Sequence, residues 1–467
     1  MSGFFGVVSK SDCVGDVFFG TDYHSHLGTQ RGGIAVINPE GFTRYIHNIT
    51  NSQFRTKFDE EISTMEGNQG IGIISDYEDQ PILVYSHLGT YAIVSVGSIQ
   101  NTEELVKRAF KNKTTHFSEI KDRSVNPTEL AATIINEEQS FTEGIQSVQE
   151  AVEGSCSVLL LTHEGIYAGR DRRGRTPIVI GKKEGSYAAT LETSAFPNLD
   201  YEIEKYLGPG EIVRITADGY EQLKKPGEEM RICAFLWVYY GFPSSTYEGI
   251  NVEDVRNRCG ASLARNENRV VDVVAGIPDS GTAYAVGYAN EANISFRRPF
   301  VKYTPTWPRS FMPQDQKIRE LVAKMKLIPI RELIEGKRLL FCEDSIVRGT
   351  QLEDIIQRIF DYGAKEVHMR PACPPLINGC KYLNFSRSRS VLDLATRKAV
   401  KQLEGDEKKF LDEYTDPSSD RYINMIETIR NRLKLTSLQY QKLDDMVKAI
   451  GLPKEKLCTY CWDGVGD

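Results

Sequence analysis

The strongest constraint in this sequence is the change from an apolar strand to a helix between residues 338 and 350. Apolar residues 339–342 are followed by two adjacent acids, Glu343 and Asp344, and then by a short loop of mainly small residues. Backbone N–H groups at the start of a helix favour an anion in such a loop. Paired carboxylates suit sugar hydroxyls or a hard divalent cation. The run therefore predicts a site for a phosphorylated ribose, and the missing Gly-Lys-Ser/Thr triplet excludes a P-loop.

The hydrophobic pattern divides the chain into two halves of different fold class. Up to about residue 225, short strands such as 34–37 and 91–96 alternate with turns and with helical patterns such as 102–111. This pattern predicts an α+β layered domain. From about residue 232, apolar strands such as 270–276 alternate with helices, which predicts an α/β domain with a parallel sheet covered on both faces. A charged helical stretch runs from about 393 to 450.

Composition and charge exclude several classes of protein. The chain of 467 residues has a net charge of −7, which argues against nucleic acid as the main partner. No apolar stretch approaches the roughly 18 residues that a membrane helix needs. The first residues lack the positively charged region of a signal peptide. We therefore expect a cytoplasmic protein that binds neither nucleic acid nor membrane.

Motifs in both halves resemble those of one enzyme family. Residues 343–350 match the 5-phosphoribosyl 1-pyrophosphate (PRPP) motif of type I phosphoribosyltransferases, and residues 278–281 resemble a pyrophosphate loop. Residues 169–177 (Gly-Arg-Asp-Arg-Arg-Gly-Arg-Thr-Pro) resemble Ala-Arg-Asp-Pro-x-Gly-x-Arg-Pro, and residues 207–211 match a characteristic turn. Over nearly its whole length, the chain resembles the glutamine PRPP amidotransferases. The resemblance implies an Ntn-hydrolase-type domain at 1–230, a type I phosphoribosyltransferase domain at 231–420 and a helical tail at 421–467.

The resemblance also implies the chemistry of the second half. An amine would displace pyrophosphate from the anomeric carbon of PRPP and give 5-phosphoribosylamine, the first step of de novo purine synthesis. Glu343 and Asp344 would hold the ribose hydroxyls and Mg²⁺, and would stabilise positive charge on the sugar. Segment 303–308 departs from the family's Asn-Arg-Tyr-x-Gly. The residues implied to bind PRPP are Asp279, Ser280, Gly281, Lys302, Arg309, Ser345, Ile346, Val347, Arg348, Gly349 and Thr350.

Four positions in the first half depart from the family where its members contact glutamine. Ser2 stands in place of a terminal cysteine nucleophile, and a hydroxyl is a far weaker nucleophile than a partly ionised thiol. Residues 73–78 replace a segment whose arginine holds the glutamine carboxylate. Val96 replaces an oxyanion-hole asparagine, and Pro127 aligns with the aspartate that receives the ammonium group. We therefore predict a degenerate glutaminase domain, with Ser2 as a degenerate nucleophile position.

Nine cysteines are too few for a disulfide scaffold in a chain of this length. Cys458 and Cys461 nevertheless form a tight pair that is typical of metal, cluster or redox chemistry. A subset of the resembled family carries a [4Fe–4S] cluster, and Cys233 and Cys380 match its other two ligand positions. Four thiolates suit either a cluster or zinc, and the resemblance favours the cluster. Ordinary core or surface roles are expected for the histidines of the first half, which include His24, His26 and His87.

Three hypotheses of function follow from this sequence. The first is an enzyme that makes 5-phosphoribosylamine from PRPP and ammonia. The second is a glutamine-dependent amidotransferase that uses Ser2, and the third is a pseudoenzyme that senses PRPP or nucleotides. The intact acid pair and phosphate loop favour catalysis over sensing. By resemblance, we also expect purine nucleotides as feedback inhibitors and a homo-oligomer, either a tetramer or a dimer.

Overall fold

The first half contains two antiparallel sheets that pack face to face, with helices on both outer faces. The computed structural model describes residues 2–111, 116–118, 120–121, 124–303, 327–383 and 391–466. The strands of this half are β1 (Gly3–Ser9), β2 (Arg31–Asn38), β3 (Gly41–Asn48), β4 (Gln69–Ser75), β5 (Ile82–Ser86), β6 (Gly89–Ile99), β7 (Ile120–Lys121), β8 (Ser124–Val125), β9 (Gly154–Thr162), β10 (Gly165–Gly169), β11 (Val179–Lys183), β12 (Ser186–Thr190), β13 (Glu202–Tyr206), β14 (Ile212–Thr216) and β15 (Gly219–Lys224). Its helices are α1 (Val14–Asp22), α2 (Phe54–Ile62), α3 (Thr102–Phe110), α4 (Pro127–Ile135) and α5 (Phe141–Ala151). Among the described residues, the sheet orders are β13-β11-β12-β1-β4-β2-β3 and β15-β14-β10-β9-β6-β5.

The alternation of side chains along β1 explains this layering. Phe4 and Val8 pack into the core between the two sheets, together with Leu159 of the opposite sheet. Phe5 points to the other face and packs in a separate core with Phe18 of α1. Successive side chains of a strand point to opposite faces, and β1 is buried along its whole length because both faces are covered. The α+β layered domain predicted from the sequence is confirmed.

The second half contains a parallel sheet of order β19-β22-β23-β24, together with three two-stranded pairs, in the part of the chain that is described. Its strands are β16 (Ile232–Cys233), β17 (Thr246–Tyr247), β18 (Ile250–Asn251), β19 (Val273–Gly276), β20 (Phe300–Lys302), β21 (Leu327–Pro329), β22 (Arg338–Glu343), β23 (Glu366–Pro371), β24 (Ser437–Leu438) and β25 (Leu457–Cys458). Its helices are α6 (Val252–Arg265), α7 (Thr282–Ala292), α8 (Arg331–Ile334), α9 (Thr350–Asp361), α10 (Ala395–Glu404), α11 (Leu411–Thr415), α12 (Asp420–Arg432), α13 (Leu443–Ile450) and α14 (Tyr460–Asp463). None of the described helices is long and apolar enough to cross a membrane.

The central strand β22 is covered on both faces. Leu340 and Cys342 belong to a core that also contains residues of the first half. Leu339 and Phe341 face a second core, which includes Ile356 of α9. A continuous apolar strand is what a parallel sheet between two helical layers requires. The α/β prediction for this half is confirmed.

The C-terminal segment completes the sheets of the second half. Ser437–Leu438 pairs in parallel with His368 and Met369 of β23. Leu457–Cys458 pairs in parallel with Ile232–Cys233. The domain boundaries at residues 230 and 420 and the helical tail at 421–467 stay predictions. Two short strands of this segment belong to sheets that begin earlier in the chain.

A buried carboxylate joins the two halves at their junction. Glu192 is fully buried, and its Oε1 accepts hydrogen bonds from the Tyr247 hydroxyl at 2.5 Å and from Phe242 N at 3.2 Å. Its Oε2 lies 2.9 Å from Nε2 of His26. Burial acts to raise the pKa of Glu192, but His26, His24 and the Tyr247 hydrogen bond hold that pKa below its ordinary value. The ionised carboxylate of the first half therefore anchors the segment that begins the second half.

His24 is a buried core histidine beside this carboxylate. Its Nδ1 lies 2.9 Å from the carbonyl oxygen of Gly20, and its Nε2 lies 3.2 Å from Oγ1 of Thr190. Burial lowers the pKa of His24 to about 4, against the opposing charge of Glu192. The imidazole is therefore neutral in the folded protein at neutral pH.

We expect His24 to make folding sensitive to acid between about pH 6.5 and pH 4. In this window the unfolded imidazole binds a proton that the folded one does not, so the free energy of unfolding falls as the pH falls. The loss from this residue is up to about 3 kcal/mol. Urea denaturation of His24→Gln should give a flatter pH dependence in this window, whereas His87→Gln, on the surface, should not. An unchanged slope in His24→Gln would contradict this assignment.

Candidate functional site

Two loops converge at the carboxyl edge of the parallel sheet. The first, residues 277–281, connects β19 to α7, and the second, residues 344–349, connects β22 to α9. A Cβ on Gly281 would lie 2.1 Å from the carbonyl oxygen of Cys342, so the first loop approaches the end of β22 this closely only because a glycine is present. Gly349 precedes α9 with a φ of +76°, a left-handed conformation that suits glycine. Ligands of open α/β sheets bind at this edge.

Hydrogen bonds from both loops fix the acid pair. Ser280 Oγ donates to Glu343 Oε1 at 2.6 Å, and the backbone N–H of Asp344 donates to the same oxygen at 3.1 Å. Ser345 Oγ donates to Asp344 Oδ1 at 2.5 Å. Both carboxyl groups are buried. The two loops therefore share one buried acidic centre.

The electrostatics of this centre favour a ligand that donates hydrogen bonds or carries positive charge. Burial and then the neighbouring Asp344 raise the pKa of Glu343. Burial also raises the pKa of Asp344, against the hydrogen bonds that it receives. Two adjacent buried carboxylates are costly to ionise without such partners, and sugar hydroxyls or Mg²⁺ would supply them.

Magnesium does not require a cage built entirely from protein. It is usually held by one or two carboxylates together with water and substrate phosphates. Glu343 and Asp344 match that donor set, so the pair suits Mg²⁺ in the presence of a phosphorylated substrate. Within the described ranges, no group of three or more His, Cys, Asp or Glu side chains is arranged to hold a metal ion.

Charged side chains of the two loops form ion pairs with residues of neighbouring segments. Lys302 Nζ, at the end of β20, lies 2.6 Å from Asp279 Oδ2. Arg348 Nη2 lies 3.4 Å from Asp393 Oδ2. The implied PRPP residues at 279–281, 302 and 345–350 thus occupy one edge of the sheet, whereas Arg309 lies outside the described residues. The peptide bond before Asp279 is cis.

Arg256 is a neighbour of the acid pair that sequence reasoning missed. It is buried in α6 and donates hydrogen bonds to the carbonyl oxygens of Trp237, Tyr239 and Gly241 at 2.8–3.1 Å. Its charge acts to lower the pKa of Asp344. An arginine in an amphipathic helix normally indicates a solvent-exposed face, so the sequence carried no signal for this position.

The predicted nucleophile position, Ser2, is linked by hydrogen bonds through Ser75 to the carboxylate of Glu78. The antiparallel pairing of β1 with β4 sets Gly3 opposite Ile74 and brings Ser2 next to Ser75. Ser2 Oγ donates to Ser75 Oγ at 3.1 Å, and Ser75 Oγ donates to Glu78 Oε2 at 3.0 Å. The place where the resemblance implies an arginine therefore holds a hydroxyl bonded to a carboxylate.

The other two predicted departures have structural roles. Val96 is buried in the core between the two sheets, and Gly97 has a φ of +144°. Pro127 is the first residue of α4, which is capped by the side chain of Asn126. A proline suits this position because its missing N–H has no helical partner there. Neither Val96 nor Pro127 has a side chain that donates or accepts hydrogen bonds.

The structure brings together the four cysteines that the sequence singled out. Cys233 of β16 and Cys458 of β25 are direct register partners. A hydrogen bond between thiols joins Cys380 to Cys461, and it lowers the pKa of Cys380 to about 7. Burial raises the pKa of Cys233, and the nearby Cys458 and Cys380 raise it further. The four sulfurs therefore form one group between strands β16 and β25 and the segment around residue 380.

Four thiolates suit either an iron–sulfur cluster or a single zinc ion. The resemblance implies the cluster, and the described residues hold no group of three or more His, Cys, Asp or Glu side chains arranged as a closed metal site. Cys233, Cys380, Cys458 and Cys461 would hold such a cluster, whose bound form would join β16, β25 and the residue-380 segment.

The fold and the site together define a class of protein. Two stacked antiparallel sheets between helices form an Ntn-hydrolase-type domain. It is fused to a phosphoribosyltransferase-type α/β domain, with an acid pair at the carboxyl edge of the sheet.

Comparisons with known proteins identify the family within this class. Residues 69–198 match the family model described as a glutamine amidotransferase domain. The amidophosphoribosyltransferase of Archaeoglobus fulgidus is 30% identical over 382 residues, which are 79% of this chain and 82% of that protein. The amidophosphoribosyltransferase of Methanocaldococcus jannaschii is 29% identical over 99% of this chain and 97% of that protein. A solved glutamine PRPP amidotransferase from B. subtilis, complexed with ADP and GMP, superposes with a TM-score of 0.85 at 25% identity, over 99% of this chain and 97% of that one. The chain belongs to the amidophosphoribosyltransferase family, a group of pentosyltransferases.

The metal content of the cysteine group can be measured directly. We expect anaerobically purified protein to contain about four iron and about four sulfide per chain, the content of one [4Fe–4S] cluster. Cys380→Ser should lose most of this iron because it removes one ligand. Cys156→Ser, at a buried cysteine outside the group, should retain it. About one zinc per chain without iron would contradict the cluster and indicate a mononuclear site.

Proposed function

We propose that this enzyme forms 5-phosphoribosylamine and pyrophosphate from PRPP and ammonia, the first step of de novo purine synthesis, in the cytoplasm. The observation that carries the proposal is the buried acid pair, Glu343 and Asp344, held by hydrogen bonds from the two loops at the carboxyl edge of the sheet. Membership of the amidophosphoribosyltransferase family supports the same reaction.

The second half would bind PRPP through both loops. Backbone N–H groups of residues 345–350, at the start of α9, would receive the 5-phosphate, since this end of a helix favours an anion. The loop at 279–281, with Lys302, would hold the pyrophosphate. Mg²⁺ would supply charge neutralisation to the leaving pyrophosphate. Glu343 and Asp344 would accept hydrogen bonds from the ribose hydroxyls and stabilise positive charge that develops at the anomeric carbon.

Ammonia is the proposed nitrogen donor because the described residues at the positions of the implied glutamine contacts do not suit the carboxylate of glutamine. Ser75 already accepts from Ser2 and donates to Glu78. Glu78 adds a negative charge beside Ser75, where the resemblance implies a positive one, and like charges repel a bound carboxylate. Val96 lacks the side-chain donor of an oxyanion hole, whose removal typically costs about 10²–10³ in rate. The first half would therefore act as a scaffold.

Purine nucleotides are proposed as competitors for PRPP, and the enzyme is proposed to be a homodimer or homotetramer. A nucleoside monophosphate carries the same ribose 5-phosphate that the loop at 345–350 would receive. The B. subtilis relative was solved with ADP and GMP, which supports nucleotide binding in this family.

The PRPP site can be tested by binding and by activity. We expect AMP or GMP to weaken PRPP binding competitively in calorimetric titrations with Mg²⁺. Glu343→Gln and Asp344→Asn should lower ammonia-dependent pyrophosphate release by about 10²–10³-fold, because each removes a carboxylate that stabilises the transition state. Glu335→Gln changes an exposed acid that precedes β22, at the other end of this strand from the acid pair, and should leave the rate unaltered. PRPP affinity that does not respond to saturating nucleotide would rule out a shared site.

The nitrogen donor can be identified by supplying each source separately. With PRPP and Mg²⁺, ammonium should support pyrophosphate release, whereas glutamine should support only background release. Ser2→Ala should retain the ammonia-dependent rate, since the hydroxyl takes no part in the proposed reaction. Glutamine hydrolysis that Ser2→Ala abolishes would instead establish a glutamine-dependent amidotransferase. PRPP binding without pyrophosphate release from either source would establish a sensor.

A further inference from the structure

Arg175 lies where the first half meets the cysteine group. The side chain of Asp171 fixes the backbone turn that contains Arg175. Its Oδ1 accepts a hydrogen bond from Arg175 N at 3.0 Å, and its Oδ2 accepts one from Thr176 N at 2.9 Å. The Arg175 side chain is almost completely buried, with 2% of its surface exposed. The Arg175 side chain therefore extends from a hydrogen-bonded turn into the protein interior.

The guanidinium contacts the C-terminal segment at several points. Its Nη2 donates to the carbonyl oxygen of Gly466 at 2.7 Å. Its central carbon lies 3.7 Å from the centre of the Tyr382 ring, a cation–π contact. Ser155, also in the first half, donates to the carbonyl oxygen of Tyr382 at 2.7 Å. Two segments of the first half thus hold the chain just after Cys380 and just before the C-terminus.

The same side chain reaches two of the four cysteines. Arg175 makes a side-chain hydrogen bond to Cys458, and its charge acts on both Cys458 and Cys380. In the family motif quoted for residues 169–177, Arg175 occupies a variable position and Thr176 occupies the position of the arginine. Thr176 is buried and donates to Asp171 at 2.9 Å instead. The cation that faces the cysteines therefore belongs to this chain and not to the shared motif.

We propose that Arg175 is a positioning residue of the cysteine centre, through which the first half sets the charge around the thiolates and holds the C-terminal segment in place. This inference rests on the proposed iron–sulfur cluster. Four thiolates with a [4Fe–4S] core carry net negative charge, and one-electron reduction adds to it. A permanently protonated guanidinium in a buried position favours the reduced form. It also lowers the cost of burying four thiolates close together.

Substitutions at position 175 separate the effect of charge from that of hydrogen bonding. Arg175→Leu removes both, Arg175→Lys keeps the charge without the planar fork, and Arg175→Gln keeps hydrogen bonding without the charge. Arg172→Leu removes a cation from the exposed side of the same turn and serves as the matched control. The full-length protein is purified anaerobically, and the cluster potential is measured by titration with dithionite, followed by electron paramagnetic resonance.

We expect Arg175→Leu and Arg175→Gln to make reduction less favourable by about tenfold, or about 59 mV for one electron. Arg175→Lys and Arg172→Leu should keep the wild-type potential. Arg175→Leu should also lose iron faster in air and expose the segment around residues 457–466 to limited proteolysis. Arg175→Gln provides the measurement of the potential if Arg175→Leu does not fold.

A wild-type potential in Arg175→Gln or Arg175→Leu would overturn the inference, since a purely structural arginine need not affect the potential. Wild-type protein without iron would also overturn it, together with the cluster assignment. Neither result depends on the release of pyrophosphate from PRPP with ammonium, which tests the proposed reaction independently.

Discussion

A single apolar core holds both halves of the chain in one body. It begins at Phe4 in β1, continues through Trp237 at the junction, and ends at Trp462 in the last helix. Burial of apolar surface is the main favourable term in folding, so neither half can lose this contact without a large cost. This dependence explains why a first half with a degenerate glutamine site would still be retained. Its sheets support the junction, and the junction carries Glu192, Cys233 and the start of the phosphoribosyltransferase-type domain.

Acidic residues have opposite consequences for ligand binding in the two halves of the protein. At the edge of the parallel sheet, the buried Glu343 and Asp344 receive hydrogen bonds from Ser280 and Ser345 and favour a ligand that brings hydroxyls or a cation. At the end of β4, Glu78 receives a hydrogen bond from Ser75 and disfavours a ligand that carries a carboxylate. Acidic residues thus favour a cation or hydroxyl groups in one half and disfavour an anion in the other.

Much of this arrangement could be predicted from the sequence. The strand, acid pair and loop at 338–350 are contiguous, so the local sequence pattern was enough to predict the candidate site. The α+β class of the first half was predicted from its short strands and turns. The α/β class of the second half was predicted from continuous apolar strands that alternate with helices. Arg256, the Glu192–His26 pair and the placement of β24 could not be predicted in this way. Each depends on residues far apart in the chain that meet only after packing, and a buried arginine or histidine has the same sequence signature as an exposed one. Arg309 lies outside the described residues.

The order of strands in the parallel sheet has a consequence for synthesis of the protein. Its fourth strand, Ser437–Leu438, and the partner of β16, Leu457–Cys458, lie close to the end of the chain. Contacts between residues so distant in sequence form slowly, and these cannot form until residues 437–438 and 457–458 have been synthesised. During synthesis, β23 would therefore expose an unpaired edge until β24 has been made, and unpaired strand edges promote aggregation. The unpaired edge of β23 is thus the feature of the nascent second half that a chaperone would need to cover.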